Sequence, residues 1–406
     1  MKTRLTVQAL ATATACAFST AAIADDKVTL SMWHQHPEWK DRAEAILEKF
    51  EAAHPHIDIE LEEIAGTNYT ARLNTALAAG EAPDLFGLPA GPETVAAAEA
   101  GYLTDLTGKL DLSSLVPSAA SAVDNDGKVF GVPILGSYTV GLYYHRDIME
   151  EQGLTPPTTR EELLSVCETL KERGINPLVV PASDGIVPSF MYMMSAASIM
   201  GADGFDELRA GTRKFTDPDM VKAAAFIQEI APCLQPGALS TAYVEGKALA
   251  AMKQGAMMPG GSADFAGYQE INPEVDLGVV PFPAAEGGTP ATVTGLEYIF
   301  TINSQSEHKD EALTFLQWML GEVAQQMVVD TITMTTNKDV VPTDSRILEE
   351  FGTARASNDV RVFYELPEVG SVFGAAQNNI AALLLGDMTP EAFSELLQAE
   401  VKPSGS

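Results

Sequence analysis

A tryptophan and two histidines stand at or just after the end of the first strand-like run of the sequence, residues 28–34, where they could contact a bound solute. The indole of Trp33 could stack on the apolar face of a ring. His34 and His36 could donate or accept hydrogen bonds or bind a metal ion. No cysteine lies near them and the chain has six histidines in all, so hydrogen bonding or solvent exposure is favoured over metal binding. We therefore expect no metal site and no cofactor.

Other polar side chains near the ends of later elements are suited to bonding hydroxyl groups. Asn68 and Tyr69 open a predicted helix, where contact with a solute and capping of the helix are equally consistent with the sequence. Asp184 follows a short apolar run at 177–180, and a carboxylate is a good acceptor for hydroxyls. These residues predict binding of a polar solute.

Motifs for catalysis are missing from the sequence. We find no nucleophile elbow, no phosphate loop and no H-E-x-x-H, and 260–262 (Gly-Gly-Ser) does not fit G-x-S-x-G. A glycosidase needs two carboxylates, but a chain with 56 acidic residues offers such pairs by chance. We expect a protein that is not an enzyme, with a secreted glycan hydrolase as the alternative.

Strand and helix patterns alternate from the first strand-like run onward. A strand at 28–34 leads into a helix near 38–53, then a strand at 57–62, a helix at 67–79 and a strand from 85. Alternation of this kind predicts a mostly parallel sheet covered by helices, with ligands beyond the carboxyl ends of the strands. Further along, we predict strands at 138–145, 177–180, 255–258, 277–281 and 292–302, and helices at 158–173 (capped by Thr158), 189–200, 217–230, 241–254, 307–320, 371–385 and 390–401.

The first 24 residues have the pattern of a cleaved secretory signal peptide. Lys2 and Arg4 precede a short apolar stretch rich in Ala and Thr, which ends in the A-x-A site 22–24. A lipid anchor on Cys16 is the weaker alternative, because no large aliphatic residue stands just before it. We expect a periplasmic protein.

The charge of the chain excludes one class of partner. The formal net charge is −31, and it becomes −33 once the leader with its two bases and no acid is removed. Nucleic acids need a basic surface, so no nucleic-acid partner is expected.

Two cysteines remain after the leader, Cys167 and Cys233. An oxidising compartment permits a disulfide between them. Two buried free thiols are the alternative, since Cys167 lies on the apolar face of a predicted helix.

Four motifs, in this order, make the chain resemble family 1 extracellular solute-binding proteins, the maltose-binding-protein type. They are 78–84 (AAGEAPD), 131–133 (GVP) with 142–147 (LYYHRD), 246–252 (GKALAAM) running to 259–262 (PGGS), and 312–319 (ALTFLQWM). The resemblance covers essentially the whole chain after the leader.

The resemblance implies an α/β fold of two lobes, the type II periplasmic-binding-protein fold, joined by three hinge crossings. Each lobe would be a mostly parallel sheet flanked by helices. The N-terminal lobe would comprise 25–135 and 297–333, and the C-terminal lobe 136–295 and 334–406.

The resemblance also implies where ligand contacts lie. Where the family often carries a stacking tryptophan this chain has Ser262 and Ala263, which favours a short ligand over a long oligosaccharide. Counting the residues already named, the ligand-binding set is Trp33, His34, His36, Glu62 or its neighbour Glu63, Asn68, Tyr69, Tyr138, Asp184, Gly261, Ser262, Asp264, Glu297, Tyr298 and Phe373.

The resemblance implies the solute-binding component of an ABC importer, a monomer that closes its two lobes over a mono- or short oligosaccharide. It would then hand this sugar to inner-membrane permease subunits. A cationic or zwitterionic solute such as a polyamine is the alternative, because the same carboxylates could hold it.

Overall fold

The structure is a computed structural model of the 406-residue chain, and it describes residues 27–35, 40–64, 66–125, 127–201, 204–296, 298–331, 334–340, 345–362, 365 and 369–402. The strands are β1 (Val28–His34), β2 (Ile57–Glu63), β3 (Leu85–Leu88), β4 (Asp124–Asn125), β5 (Lys128–Val129), β6 (Gly131–Val132), β7 (Ser137–His145), β8 (Met257–Gly261), β9 (Leu277–Val280), β10 (Thr292–Leu296), β11 (Ile299–Ile302) and β12 (Asp359–Arg361).

The helices alternate with these strands and then close the chain. They are α1 (Lys40–Ala53), α2 (Gly66–Ala79), α3 (Pro92–Glu99), α4 (Pro117–Val123), α5 (Arg146–Glu151), α6 (Arg160–Glu172), α7 (Ile186–Met200), α8 (Gly204–Arg209), α9 (Pro218–Glu229), α10 (Tyr243–Ala251), α11 (Asp264–Ile271), α12 (Lys309–Met319), α13 (Glu322–Thr331), α14 (Arg346–Arg355), α15 (Gly370–Leu385) and α16 (Pro390–Ala399). No helix in the described ranges is both long and apolar enough to cross a bilayer.

Two five-stranded sheets organise the molecule. The first has the order β2-β1-β3-β11-β6, and the second has the order β12-β10-β7-β8 with β9 paired to the far end of β7. In each sheet a single strand runs against the others: β11 is antiparallel to β3 and β6, and β7 is antiparallel to β8, β9 and β10. The remaining pairs, β1 with β2 and β3, and β10 with β12, are parallel. In each sheet four of the five strands therefore run in the same direction, although antiparallel pairs outnumber parallel ones in the second sheet.

Helices cover both sheets because the strands are apolar on both faces. One core surrounds the first sheet and contains Leu30, Phe50 and Phe300. The second sheet has two cores, because neighbouring residues on a strand point to opposite faces. Leu142 packs in one of them, and the next residue, Tyr143, packs in the other.

The chain passes between the sheets three times within the described residues. It leaves the first sheet after β6 and enters the second at β7, and it returns between β10 and β11. The third passage follows α13: Met334 bridges to Ser137, and α14 then packs on β7, β9 and β10. We had predicted one strand over 292–302, but the structure divides it into β10 and β11. The pattern does not show this division because every residue of both strands is buried.

Two other local predictions are corrected by hydrogen bonding. The N-cap of α6 is Thr159 instead of Thr158: the Thr159 hydroxyl accepts the Glu162 N–H at 3.2 Å, and the Glu162 carboxylate accepts the Thr159 N–H at 3.1 Å. This reciprocal pair is a capping box. The predicted strand at 177–180 is reduced to isolated bridges from Leu178 to Leu234 and Met257.

A disulfide joins Cys167 of α6 to Cys233, with 5.6 Å between their Cα atoms. Of the two alternatives that the sequence left open, a disulfide and two buried free thiols, the structure has the disulfide. It ties α6 to the turn after α9, on the side of the second sheet where its larger core lies.

Candidate functional site

The second sheet brings several candidate residues to one end. Because β7 runs against β8 and β10, it begins where both of those strands end. Tyr138 pairs with Gly295 there, and Val140 pairs with Gly261. This is the carboxyl end of the parallel strands, where α/β proteins bind ligands.

A cavity of about 290 Å³ opens at this end of the sheet, and we call it the aromatic cavity. Strands β7 and β8 form its floor, and the starts of α7, α10 and α11 form its walls. Its lining consists of Tyr138, Val140, Ile186, Val187, Phe190, Tyr243, Pro259, Gly260, Gly261, Ala263 and Asp264. The volume fits a small ligand or one end of a longer one.

Three aromatic residues, Tyr138, Phe190 and Tyr243, line this cavity. The Phe190 ring meets the Tyr138 ring edge-on, with centroids 6.4 Å apart, and packs against Phe373 at 5.4 Å. Tyr243 stands on the opposite wall with 37% of its surface exposed. Rings placed in this way can cover the C–H faces of a sugar.

Asp264 is the carboxylate of the cavity, and its oxygens are already bonded. One oxygen accepts the Gly261 N–H at 2.9 Å. The other accepts the Tyr243 hydroxyl and lies 3.1 Å from the Lys247 ammonium. Burial and the neighbouring Asp264 carboxylate raise the pKa of the Tyr243 phenol, so the phenol stays protonated and continues to donate.

Polar groups beside the cavity differ in how free they are to contact a ligand. The Tyr138 hydroxyl is enclosed and has no hydrogen-bond partner among the described residues. Ser262 is buried: its hydroxyl accepts the Thr139 N–H at 3.2 Å. Asp184 is exposed and accepts the Ile186 N–H at 3.0 Å, which orders the start of α7.

In the first sheet, the guanidinium of Arg72 lies over the ring of Trp33. The Arg72 guanidinium lies 4.3 Å from the Trp33 ring centroid and binds the Glu62 carboxylate through contacts of 2.5 and 2.8 Å. Trp33 and Asn68 line an open groove of about 650 Å³ with Arg72. Glu63 lies opposite His34 in the β1–β2 register. Arg72 thus occupies one face of the indole that we expected a solute to use.

Three predicted contacts are placed within or against the first core. His34 is 3% exposed and stacks on Phe300 at 5.6 Å, with Tyr298 edge-on at 6.4 Å. Tyr69 is buried and donates its hydroxyl to the Gly87 carbonyl at 2.6 Å. His34 and Tyr69 are thus buried, whereas Tyr298 is half-buried and bonds to Gln35, and their contact with a solute stays a prediction.

Two members of the predicted set, His36 and Glu297, lie outside the described residues. Across the described ranges no group of three or more His, Cys, Asp or Glu side chains is arranged to hold a metal ion.

Sequence reasoning missed Phe190 and Tyr243, which contribute two of the three aromatic rings in the cavity lining. Phe190 belongs to α7, whose sequence IVPSFMYMMSAASIM is apolar on every side. Such a helix is typical of a buried core element, so its pattern does not show which ring faces a cavity. A signal was available for Tyr243, since it opens a helix only a few residues before the 246–252 motif.

A buried ion pair connects the elements where the chain crosses between sheets. Arg361 and Glu365 lie 3.1 Å apart, and both are almost fully buried. Glu365 also accepts the Leu296 N–H at 2.6 Å, while Arg361 donates to the Ala122 carbonyl at 3.3 Å. Helix α4, which carries Ala122, packs against β10 and β12 of the second sheet. The pair therefore fastens α4 to the second crossing.

The stability of this junction should depend on pH. Burial raises the pKa of Glu365 from 4.5 to about 7, against the opposing effect of Arg361. The folded state then holds a proton that the unfolded state releases, so the contribution of Glu365 to stability falls as pH rises from about 4.5 to 7. Asp359, raised by burial to about 6, acts in the same direction.

We expect Glu365→Gln to remove this dependence. The difference in unfolding free energy between pH 5 and pH 8, measured by urea denaturation, should change by on the order of 2 kcal/mol relative to the parent. Glu172→Gln, at an exposed position on α6, is the control and should leave the profile unchanged. An unaltered profile in Glu365→Gln would show that this carboxyl is ionised throughout.

Comparison with known proteins finds relatives of similar sequence. It is 25% identical to the multiple sugar-binding protein of Streptococcus mutans over 321 residues, which is 75% of this chain and 74% of that one. It is 24% identical to the melibiose/raffinose/stachyose-binding protein MelE of Bacillus subtilis over 392 residues, covering 89% and 86% of the two chains.

Solved structures show the same fold. A chitin oligosaccharide binding protein superposes with a TM-score of 0.76 at 23% identity, covering 92% of this chain and 98% of that chain. The apo form of RafE from Streptococcus pneumoniae superposes with a TM-score of 0.78 at 22% identity, covering 92% and 97%. The model of the family described as bacterial extracellular solute-binding protein matches residues 36–326, well over half of the sequence. The chain thus belongs to the bacterial extracellular solute-binding proteins, in the two-lobed, maltose-binding-protein-like fold.

Proposed function

We propose that this protein captures a neutral sugar, a mono- or short oligosaccharide, outside the cytoplasmic membrane and delivers it to the permease subunits of an ABC importer. The observation that carries this proposal is the aromatic cavity. Its lining combines three aromatic rings with the carboxylate of Asp264, which is already paired with Lys247. A neutral, hydroxyl-rich ligand gains stacking and hydrogen bonds there without leaving an unpaired charge.

The relatives support a sugar as the solute class. Two relatives are named for binding multiple sugars and for binding melibiose, raffinose and stachyose, and a structural neighbour for binding chitin oligosaccharides. We infer that the ligand contacts Tyr138, Phe190 and Tyr243 through its C–H faces, and that Tyr138 also bonds a ligand hydroxyl. Asp184, at the start of α7, is a further hydroxyl acceptor.

The two sheets provide the moving parts in this proposal. We infer that the lobes comprise 25–135 with 297–333, and 136–295 with 334–406, and that they close over the ligand by bending at the three crossings. Closure is favoured only by contacts that a ligand makes with both lobes at once. In the first lobe, Glu62 and Asn68 are the candidates for contacts with the ligand. Both lie beside Arg72.

The proposal also covers where the protein works and with what. A signal peptide over residues 1–24 would export it to the periplasm, where it would act as a monomer. As a transport component, it would release its solute chemically unchanged. Incubation followed by chromatography should return the intact sugar.

Isothermal titration with a matched panel tests the solute class. The panel combines neutral sugars (melibiose, raffinose, stachyose, maltose and chitobiose) with putrescine and spermidine. We expect at least one sugar to bind and the amines to give no heat. Asp184→Asn should weaken a neutral sugar by less than about tenfold, because the asparagine oxygen still accepts the hydroxyl and only the extra strength of a charge-assisted hydrogen bond, roughly 1 kcal/mol, is lost. Binding of the amines alone, lost in Asp184→Asn, would replace the sugar with a cationic solute.

A further inference from the structure

Lys247 lies behind the wall of the aromatic cavity and touches the charged and polar groups that line it. It follows Tyr243 by one turn of α10, and its ammonium is 5.3 Å from the Tyr243 ring centroid and 5.9 Å from that of Tyr268. The same ammonium is 3.1 Å from Asp264, the first residue of α11. One lysine thus joins α10 to α11 at the cavity.

The pair formed by Lys247 and Asp264 is shielded from water. The side chains are 23% and 14% exposed, respectively. A half-buried pair with little water around it attracts more strongly than an exposed one. The Tyr243 hydroxyl and the Gly261 N–H also bond to Asp264, so its charge is balanced by Lys247 and three of its roughly four acceptor positions are taken.

Without Lys247, the same cavity would suit a cation. Aromatic faces attract an ammonium group, and a carboxylate at the end of an aromatic pocket adds to that attraction. Tyr138, Phe190, Tyr243 and Asp264 would supply these groups. The other acid close to this wall, Asp184, is exposed and accepts the Ile186 N–H, so water screens it.

We propose that Lys247 determines the charge selectivity of the aromatic cavity by pairing with Asp264, and so excludes cationic solutes that the surrounding rings would otherwise hold. This inference rests on the proposed function, which identifies the ligand of the cavity as a neutral sugar. The lysine acts through Asp264, so it is a specificity-determining residue that positions and neutralises the carboxylate.

The test uses choline and its neutral isostere 3,3-dimethyl-1-butanol as probes, titrated by calorimetry into the parent and into Lys247→Met. Removing the ammonium should tighten choline binding by at least about tenfold relative to the isostere, in line with the strength of a desolvated cation–π contact. The double variant Lys247→Met with Asp264→Asn should bring choline back to the level of the parent, because the carboxylate charge is then absent.

A second variant displaces the ammonium without removing it. A Cβ on Gly267, within α11, would lie 2.9 Å from the Lys247 nitrogen and 3.1 Å from its Cε. Gly267→Ala should therefore push the flexible end of the lysine away from Asp264, while alanine in a helix costs no propensity. We expect a smaller gain in choline affinity than in Lys247→Met.

The outcomes separate this inference from the proposed function. If folded Lys247→Met and Gly267→Ala bind choline no better than the parent does, relative to the isostere, the inference is wrong even when a sugar binds. If both variants gain choline affinity while no sugar binds the parent, the charge role of Lys247 stands and the sugar proposal falls. Should Lys247→Met fail to fold, Gly267→Ala decides alone.

Discussion

Replacing Phe190 by alanine should weaken binding of the sugar by roughly 10- to 100-fold, since burying an aromatic side chain against a ligand contributes about 1.5–3 kcal/mol. Phe190 lies between Tyr138 and Phe373, so its loss removes a stacking surface and also the support of the Tyr138 ring. Isothermal titration with the best sugar of the panel measures the effect.

The matched control for Phe190 is Tyr102→Ala. Tyr102 is also a half-buried aromatic residue, but it lines a different cavity next to α3, together with Leu88 and Pro89. This variant should change sugar affinity less than twofold, even if it costs stability. Equal affinities for Phe190→Ala and the parent, at full folding by circular dichroism, would move the ligand away from the aromatic cavity.

The second large effect is expected at Gly91, the residue before α3, whose backbone lies close to that of Glu365. Its φ is +106°, and a Cβ there would lie 2.5 Å from the carbonyl oxygen of Glu365. Gly91→Ala therefore combines a disfavoured backbone conformation with a clash against main chain that is held by the buried Arg361 pair. We expect a loss of about 3 kcal/mol or more in the free energy of unfolding.

Gly101 provides the control for the cost of the backbone conformation without a clash. Its φ is +77°, and nothing lies within 4 Å of a Cβ built there. Gly101→Ala should cost only about 1 kcal/mol, the price of a left-handed conformation for a residue with a side chain. If urea denaturation gives the two variants equal stabilities, the close approach between Gly91 and Glu365 is absent in solution.

Periodicity recovered those elements whose burial is one-sided or whose ends carry a chemical marker. Strand β1 matches its predicted bounds. Helices α2 and α15 end at the predicted residues, Ala79 and Leu385, because Gly80 and Gly386 terminate them in a left-handed conformation. The second sheet was harder to predict, since β10 and β11 lie only two residues apart in the chain and are both buried, yet belong to different sheets. Only long-range pairing distinguishes them.

The candidate site was recovered only in part, for a physical reason. Of the residues predicted to bind a ligand, Gly261 and Asp264 line the cavity, whereas His34 and Tyr69 lie within or against the first core. Chain position fixes the end of the sheet, whereas side-chain direction depends on neighbours such as Phe300 that are distant in sequence. For the same reason no local pattern indicated that Arg72 covers Trp33.

Small-angle X-ray scattering with and without the sugar selected by titration tests the central claim most directly. If a neutral sugar draws the two lobes together, its saturating addition should lower the radius of gyration and the maximum dimension, and Phe190→Ala should need a correspondingly higher concentration to reach the same end point. A scattering curve that stays the same with every sugar, yet contracts with putrescine or spermidine, would contradict the account.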